Sequence, residues 1–479
     1  MRLTKYILPV ALLITASSCS KLIEIEETDL ITNDLALKTV ENNESEIIGA
    51  YAALNQEMSI LLNATFADEV KVAEFYNAGT THEWQYGSTD VGIRDNFTAV
   101  TPHYRVIDRV NRALAALPTA DSTRVGDNVL RNKLRGEALF LRAYCHFELF
   151  RFYCGNYDPA GLAMPYMEVS TLDPQARITQ GPYFIKLLAD LTEAKTLVPN
   201  NLTDIRRVTR LACSGLQARV ALYMRDWANA ATYATEYITG VPLSPIGQFG
   251  GIWTDANNNE LAFYHARSAV VGARLGNLFR ANATTSPSLR IGTITWKPSD
   301  KLWNAYDQTN DVRFAAYFKS EPMLTTPRDP RIIYKYSGSA YGTGNENVAN
   351  AKIFRTGEMY LIRAEARAEQ GTFTGANSAE SDINALRTAR ITGYVPVVFA
   401  SKQAAIDAIM DERFKELAYE GHRFFDLRRR GLPVSRLVSD APTVNAQTLP
   451  AGNFRFVLPI PNVEIQASYG IMQQNPGYQ

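Results

Sequence analysis

The chain has 479 residues, of which 46% are hydrophobic and 20% are charged, a balance typical of a folded globular protein rather than a disordered one. Its length suffices for one large domain or two ordinary ones. Lysine plus arginine equals aspartate plus glutamate at 49 each, so no basic excess is available for a phosphate backbone, and the composition argues against nucleic acid as a partner.

Residues 1–18 have the pattern of a secretory signal peptide. Arg2 and Lys5 make a positive start, the run YILPVALLITA supplies eleven mostly apolar residues, and small residues follow it. An apolar run of this length is too short to cross a bilayer core, which needs roughly 20 residues. We therefore expect this segment to be removed from the mature protein.

The small residues of that segment end on Cys19, and TASSC resembles the lipobox of bacterial lipoproteins, in which the signal is cut just before a cysteine that then carries acyl chains. One departure is Ala16, which stands where the lipobox prefers Leu. The sequence predicts lipidation of Cys19; the alternative is ordinary cleavage near Ser18. The acidic stretch EIEETD, within 19–35, is either a solvated tether or a signal resembling the one that exports some lipoproteins to the outer face of the outer membrane.

From residue 36 onward the apolar pattern is mainly helical. Between Leu130 and Phe152 apolar residues recur at steps of three and four, and a second apolar stripe runs through Phe140, Tyr144 and Phe147. Two apolar stripes predict burial on two sides, so this helix should be central. Similar patterns predict helices at about 36–56, 99–117, 181–198, 209–224, 228–239, 352–370, 377–391 and 402–420. Strand signals are sparse, as in RIIYKY and FRFVLPI.

Two of these helical units resemble each other. ARVALYMRDWANA and AEARAEQGTFTGA each begin with small residues, reach an aromatic residue nine positions on, and reach an alanine twelve positions on that should open a second helix. The equivalent positions are Ala218 and Ala364, Trp227 and Phe373, and Ala230 and Ala376. This pattern is typical of a tetratricopeptide-like helix–turn–helix, in which small residues allow the neighbouring helix to pack closely. The helical pattern stops over 76–98 and about 240–350, where Gly, Pro, Asn and Ser are frequent.

The stretch DERFKELAYEGHRFFDLRRRG places three glutamates four residues apart, at Glu412, Glu416 and Glu420. A glycosidase needs carboxylates about 5–9 Å apart, but they must face a substrate across open space. Carboxylates on one helix stripe point the same way, and paired carboxylates have lowered pKa values that make them poor general acids. We therefore interpret the stripe as an ion-paired scaffold. The nearby cations that could pair with it are Arg413, Arg423, Arg428 and Arg429.

The same stretch resembles the recurrent motif of the RagB/SusD family of surface glycan-binding lipoproteins. GEALFLRAYCHFELFRFY resembles the long N-terminal helix of that family, RTGEMYLIRAEARAEQG its repeat helix, and VLPIPNVEIQASYGIMQQNPGY its C-terminal ending. The likeness runs from the signal peptide to the last residues. A departure is ASYG, which stands where the ending has an asparagine–proline pair.

The resemblance implies a mainly all-α fold, with tetratricopeptide-like repeats packed against an irregular, loop-rich half. It divides the chain into a signal peptide (1–18), a lipid-anchored tether (19–35), a SusD-like N-terminal helical region (36–240) and a RagB/SusD C-terminal region (241–479). It implies no catalysis. It also implies a position on the cell surface at the outer membrane, and delivery of oligosaccharide or polysaccharide to a SusC-like TonB-dependent transporter. Separately, the five histidines form no close metal-ligand spacing and no cofactor-binding motif is present, so the sequence predicts no cofactor and no metal ligands and leaves a bound cation such as calcium open.

Within this resemblance, the chemistry of sugars suggests where a ligand binds. Sugars present C–H faces that stack on aromatic rings, and hydroxyls that need amide, carboxylate or guanidinium partners. The best candidate platform is Trp84 and Tyr86 in the 76–98 loop, with Asn77, Asp90 and Arg94 nearby. Trp296 is the second candidate.

Other functions remain open at this stage. The ligand could be a peptide instead of a glycan. A glycoside hydrolase would need two carboxylates facing each other across a cleft, and a tetratricopeptide-type adaptor would need a concave helical groove lined with Asn, Lys and Arg.

Overall fold

The computed structural model describes residues 36–74, 82–90, 92–93, 97–98, 100–270, 274–280 and 294–478. Helices dominate its first half. They are α1 (Val40–Ala53), α2 (Glu57–Phe66), α3 (Val100–Ala116), α4 (Asp127–Tyr153), α5 (Gln180–Leu197), α6 (Arg210–Met224), α7 (Trp227–Gly240) and α8 (Phe249–Trp253).

The second half combines short helices with a second group of longer ones. They are α9 (Asp300–Trp303), α10 (Val312–Tyr317), α11 (Thr356–Glu369), α12 (Ala379–Thr388), α13 (Lys402–Glu416), α14 (Arg423–Arg430) and α15 (Asn462–Ala467). Among the described residues, no helix has both the length and the apolar character needed to span a membrane.

Eight short strands form four antiparallel pairs within the described ranges. β1 (Val70–Val72) pairs with β3 (Trp296–Pro298), β2 (Leu261–His265) with β6 (Ala351–Arg355), β4 (Phe318–Ser320) with β5 (Arg331–Ile333), and β7 (Val434–Ser435) with β8 (Thr448–Leu449). The strand predicted from RIIYKY is confirmed. The one predicted from FRFVLPI is wrong, because Phe454–Phe456 is a 3₁₀ turn capped by the Asn453 side chain.

The helix predicted to be central is buried on both predicted stripes. Phe140 and Phe147 on one stripe and Leu141 and Cys145 on the other are 0% exposed. α4 packs against α3 and α5. On the second stripe, the Phe140 ring meets those of Phe263 in β2 and Phe354 in β6, and the Phe147 ring meets that of Tyr223 in α6. This burial of two faces is why the helix carries apolar residues almost all round its C-terminal half.

The long helices pack in series. α1 contacts α3, α3 contacts α4, α4 contacts α5, α5 contacts α6, and α6 contacts α7. α7 then contacts α11, which in turn packs against α12 and α13. The array of helices therefore continues across an insertion of residues 241–350, and the predicted mainly helical, repeat-containing fold is confirmed.

The β2–β6 pair closes this insertion. β2 lies near its start, and β6 ends at Arg355, immediately before α11 begins at Thr356. His265 is paired with Ala351, and Leu261 with Arg355. The predicted helix at 352–370 therefore begins with a strand, because these residues are needed to hold the two ends of the insertion together.

In both predicted repeat units, which begin at Ala218 and Ala364, the first helix is confirmed. In the unit that begins at Ala364, the predicted start of the second helix is wrong. Ala218, Ala364 and Ala230 are fully buried, as expected for positions that admit a neighbouring helix. Ala376 is exposed in a loop, and α12 begins three residues later, at Ala379. Ser378 caps that helix by accepting a hydrogen bond from the backbone N–H of Ser381, so the capping serine sets the start.

Candidate functional site

The three glutamates of the motif are buried and paired with cations. Glu412, Glu416 and Glu420 are 0%, 0% and 6% exposed. Arg313 Nη1 lies 2.6 Å from Glu412 Oε1, and Arg355 Nη2 lies 2.7 Å from Glu420 Oε1. Both oxygens of Glu416 accept hydrogen bonds from Arg390, at 3.0 Å each. The predicted ion-paired scaffold is confirmed.

The partners of these glutamates are not the arginines that the sequence suggested. Arg413 and Arg429 bind Asp426, and Arg423 binds Asp68. Arg428 donates to the backbone carbonyls of Arg151 and Phe456. Lys415 lies three residues after Glu412, but the other glutamate partners come from distant parts of the chain, and their nearness in space is invisible to local spacing. The glutamate partners are Arg313, Lys335, Arg355, Arg387, Arg390 and Lys415.

These pairings hold the carboxylates ionised. Burial alone would raise the pKa of Glu412, but the charges of Arg313, Lys415 and Arg387 outweigh it and bring that pKa to about 2. Burial is likewise outweighed at Glu416, whose pKa lies well below its usual range because Arg390 and Arg355 are close. A carboxyl that is both ionised and inaccessible to solvent is unsuited to act as a general acid.

The histidines do not form a reactive centre either. His82, His103, His146, His265 and His422 are all buried. Burial lowers the pKa of His82 and of His265 to about 3, so both rings are neutral at physiological pH. Among the described residues, no group of three or more His, Cys, Asp or Glu side chains could hold a metal ion.

Trp84 and Tyr86 lie in the core, each 3% exposed, rather than on an open surface. Trp84 donates its indole N–H to the backbone carbonyl of Phe66 at 3.0 Å, and the Arg436 guanidinium lies 4.1 Å from its ring centre. Tyr86 donates its hydroxyl to the carbonyl of Arg455. The arrangement of these rings offers no open face on which a sugar could stack.

Trp296 is also buried, at 6% exposure, because it lies in β3. Its ring packs against that of His82, with the ring centres 5.4 Å apart. Asp90 is half-buried and accepts backbone N–H groups from Gly92 and Ile93. Asn77, Arg94 and the lipidation candidate Cys19 lie outside the described residues. A contact between any of these residues and a ligand stays a prediction.

The loop-rich half nevertheless has an edge where several segments meet. Val72 at the end of β1 is paired with Trp296 at the start of β3. Ala73 after β1 and Thr295 before β3 therefore lie at the same end of this strand pair, where the Ala73 N–H donates to the Thr295 carbonyl. β5 packs against β3 and pairs with β4, which extends the edge.

Two half-buried tyrosines lie at this edge with an exposed lysine, and we call Lys319, Tyr334 and Tyr341 the edge cluster. The two rings form a T-shaped pair with centres 5.2 Å apart. Lys319 Nζ lies 4.2 Å from the centre of the Tyr341 ring and 5.4 Å from that of Tyr334. The Tyr341 hydroxyl donates to Glu321, which fixes the orientation of that ring.

Further polar groups lie along the same strands. Asp300 and Asp329 each pair with both Lys71 and Arg331, and these four side chains are 14–22% exposed. Aromatic rings beside fixed carboxylates and cations are what a site for a polyhydroxylated ligand needs. Sequence reasoning missed Tyr334 and Tyr341, although a tyrosine within GSAYGTGNENVAN was a usable signal.

Comparison with known proteins gives matches in both halves of the chain. Residues 293–478 match the family model described as the SusD family, and residues 31–222 match the one described as starch-binding associating with outer membrane. The chain is 24% identical over 515 residues to SusD-like protein P2 of Formosa agariphila, with 98% of each protein covered.

Solved structures share the fold. A SusD superfamily protein of Bacteroides thetaiotaomicron superposes with a TM-score of 0.78 at 21% identity, covering 91% of this chain and all of that one. A SusD-like carbohydrate binding protein of Bacteroides vulgatus gives a TM-score of 0.75 at 19% identity, covering 90% of this chain and 97% of that one.

Proposed function

This chain belongs to the SusD family, and from that membership we propose that it is a non-catalytic, cell-surface lipoprotein that binds oligosaccharide or polysaccharide. It delivers the glycan to a SusC-like TonB-dependent transporter in the outer membrane. The observation that carries this proposal is the match of both halves to family models, one of which is described as starch-binding associating with outer membrane.

The absence of catalysis is supported by the chemistry of the motif glutamates. Their oxygens are occupied by arginine and lysine donors, and hydrolysis of a glycoside requires one free acid and one free base or nucleophile. The lipid anchor at Cys19 and the transporter partner are part of the proposal through the family alone.

The glycan surface of this proposal is centred on the edge cluster. Tyr334 and Tyr341 provide half-buried rings, and Lys319 and the ion-paired carboxylates beside β5 provide partners for hydroxyls. The contacts predicted for Asn77 and Arg94 remain part of this proposal.

Calorimetry and affinity electrophoresis of residues 20–479 against a panel of polysaccharides test this function. We expect retardation by at least one glycan, with no release of reducing ends in a parallel assay. Release of reducing ends would make the protein an enzyme and contradict the proposal. Binding of peptides, with no response to any glycan, would contradict the proposal that the ligand is an oligosaccharide or polysaccharide.

Variants of the edge cluster locate the site. Tyr334→Ala and Tyr341→Ala should each weaken glycan binding about tenfold, equivalent to about 1.4 kcal/mol. Tyr469→Ala is the matched control, because Tyr469 is 87% exposed and lies after α15, outside the edge cluster. Equal affinity in all three variants would show that the glycan binds elsewhere.

A further inference from the structure

A long trough runs along α3 on a part of the surface that the proposed function does not use. It consists of two adjoining cavities of about 770 Å³ and 920 Å³, which share Asn111, Arg112, Val169 and Ser170 as lining residues. Together they follow α3 from Val100 to Ala116, a distance of about 24 Å at 1.5 Å per residue.

The walls of the trough are largely apolar. Val100, Tyr104 and Ile107 line it from α3, and Met472 lines it near the C-terminus. The opposite wall is the segment 165–173, on which Val169 is 65% exposed and Leu172 is fully exposed, at 103%. Large apolar side chains grouped around a concave surface mark a place where another chain segment binds.

The trough also carries charge. Arg105 is exposed and forms no ion pair among the described residues, whereas Arg112 is paired with Asp108 at 2.5 Å. Glu464 lines the same end as Arg105, and burial raises the pKa of its carboxyl, which disfavours its charged form. Asp173 also lines this end and is exposed, so the end carries charges of both signs. Arg105 is the cation there that has no ion-pair partner in the described part of the protein, and it is available to an acidic residue of another segment.

One end of the trough is where the described chain begins. Ala36 and Leu37 line it, together with residues of α1. The backbone is fixed there, because Asp121 donates its N–H to the carbonyl of Lys38 and accepts the N–H of Val40. The chain that precedes Ala36 therefore enters the protein at the mouth of the trough.

We propose that residues 22–35, LIEIEETDLITNDL, occupy this trough. Fully extended, these fourteen residues reach about 46 Å at 3.3 Å per residue, so eight or so suffice to run its length. Leu30, Ile31 and Leu35 then meet the apolar walls, and the acidic stretch before Leu30 reaches Arg105.

This arrangement has a consequence for an anchor at Cys19. A segment bound along α3 would bring the anchor to the α15 end of the trough rather than leave it on a free tether. The orientation of the whole molecule on a membrane would then be set by its own N-terminal segment.

Intramolecular cross-linking of the mature chain carrying Cys19→Ala tests the proposal. One variant has Ile31→Cys with Val169→Cys in the trough. Its matched control has Ile31→Cys with Val125→Cys. Val125 is fully exposed and lies four residues from Asp121, so it is close to the chain entry but outside the trough. The natural Cys145, Cys154 and Cys213 are buried, and burial raises the pKa of each thiol, so they should not react.

With a short bis-maleimide reagent, we expect cross-linking of the cysteines at positions 31 and 169 to be at least about fivefold faster than cross-linking of those at positions 31 and 125. The reason is that binding of the segment in the trough raises the local concentration of one thiol near the other. Equal or faster closure at Val125, or no closure at Val169, would contradict the proposal. Adding Val169→Asp and Leu172→Asp to the variant with Ile31→Cys and Val125→Cys should increase its cross-linking rate. Charges in the apolar wall would weaken binding of the segment and leave it free to reach position 125.

Discussion

Trp84 lies in the core, in contact with α2 and with Arg436. Its ring is buried, its N–H satisfies the carbonyl of Phe66, and Arg436 stacks over it. Trp84→Ala should lower the free energy of unfolding by about 3–5 kcal/mol, since it leaves a cavity and an unpaired carbonyl. Urea unfolding followed by circular dichroism measures this.

The control for that substitution is Tyr469→Ala, which removes an aromatic ring from an exposed position and should change stability by less than about 0.5 kcal/mol. A Trp84→Ala variant that remained as stable as the wild type but lost a ligand would restore the original interpretation of Trp84 as a contact residue.

Glu69 is a buried carboxyl with incomplete hydrogen bonding. Its Oε1 accepts the backbone N–H of Tyr419, whereas Oε2 has no hydrogen-bond partner in the described part of the protein. Burial raises the pKa of Glu69 to about 8, and the negative charge of Asp68 adds to the rise, against the lowering effect of the Tyr419 N–H. The folded state therefore keeps this carboxyl protonated at neutral pH.

The pKa of Glu69 predicts a pH dependence of stability. The pKa of Glu69 is higher in the folded state than in the unfolded state. Its protonated carboxyl therefore contributes fully to the free energy of unfolding below about pH 4.5, and this contribution is lost as the pH rises through 8. Between these limits its slope approaches about 1.4 kcal/mol per pH unit. Urea unfolding at pH 5, 7 and 9 should show this decline for the wild type and a flatter profile for Glu69→Gln.

The comparison variant for Glu69→Gln is Glu41→Gln, which changes an exposed carboxylate on α1. It should leave the pH profile of the wild type unaltered. If Glu69→Gln also kept the wild-type slope between pH 5 and 9, Glu69 would be ionised in the folded protein and the predicted raised pKa would be wrong.

At the scale of elements, α11 depends on a glycine near its start. A Cβ at Gly357 would overlap Glu416 Oε1 and come within 3.2 Å of Arg390 Nη2. Both atoms belong to the buried ion network and cannot shift without breaking a pair. Gly357→Ala should therefore destabilise the protein by about 3 kcal/mol or more, despite the better helix propensity of alanine.

Gly250 in α8 is the matched control, because a Cβ there meets no atom within 4 Å. Gly250→Ala should leave stability unchanged or raise it by up to about 1 kcal/mol, since alanine loses less backbone entropy in a helix. Thermal unfolding of the two variants in parallel distinguishes the effects. Equal midpoints would mean that the ion network adapts to an added methyl group.

The spacing of apolar residues predicted where helices occur, but it did not predict where some of them end. The pattern from 402 continues to Glu420, yet α13 ends at Glu416, because Tyr419 and Gly421 adopt positive φ values of 62° and 84°. Gly421 also packs closely against Ser59 of α2, so the end of α13 is set by a contact with a distant part of the chain. Such contacts leave no periodic signal.

At the scale of the whole molecule, the sequence predicted the helical class and the ion-paired nature of the motif, but not which charges meet. The apolar face of α4 and the small residues of the repeats could be predicted, because their spacing along a single sequence follows the period of a helix. The partners of Glu416 come from positions near 355 and 390, and Tyr334 and Tyr341 meet only through strand pairing. Trp84 and Trp296 were predicted as ligand-contacting residues, although tertiary packing buries both.

The insertion between α7 and α11 is tied to the helical array by charge as well as by the β2–β6 pair. Arg313 and Lys335, both from the insertion, neutralise Glu412, Glu416 and Glu420 of the array. The exposed surface of the insertion has no part in this network, whereas loss of either cation would remove neutralising charge from the buried glutamates. A chimaera that takes residues 241–350 from another member of the family should be less stable unless its donor brings equivalent cations to the same places, because the remaining partners, Arg355, Arg387, Arg390 and Lys415, would carry the whole network.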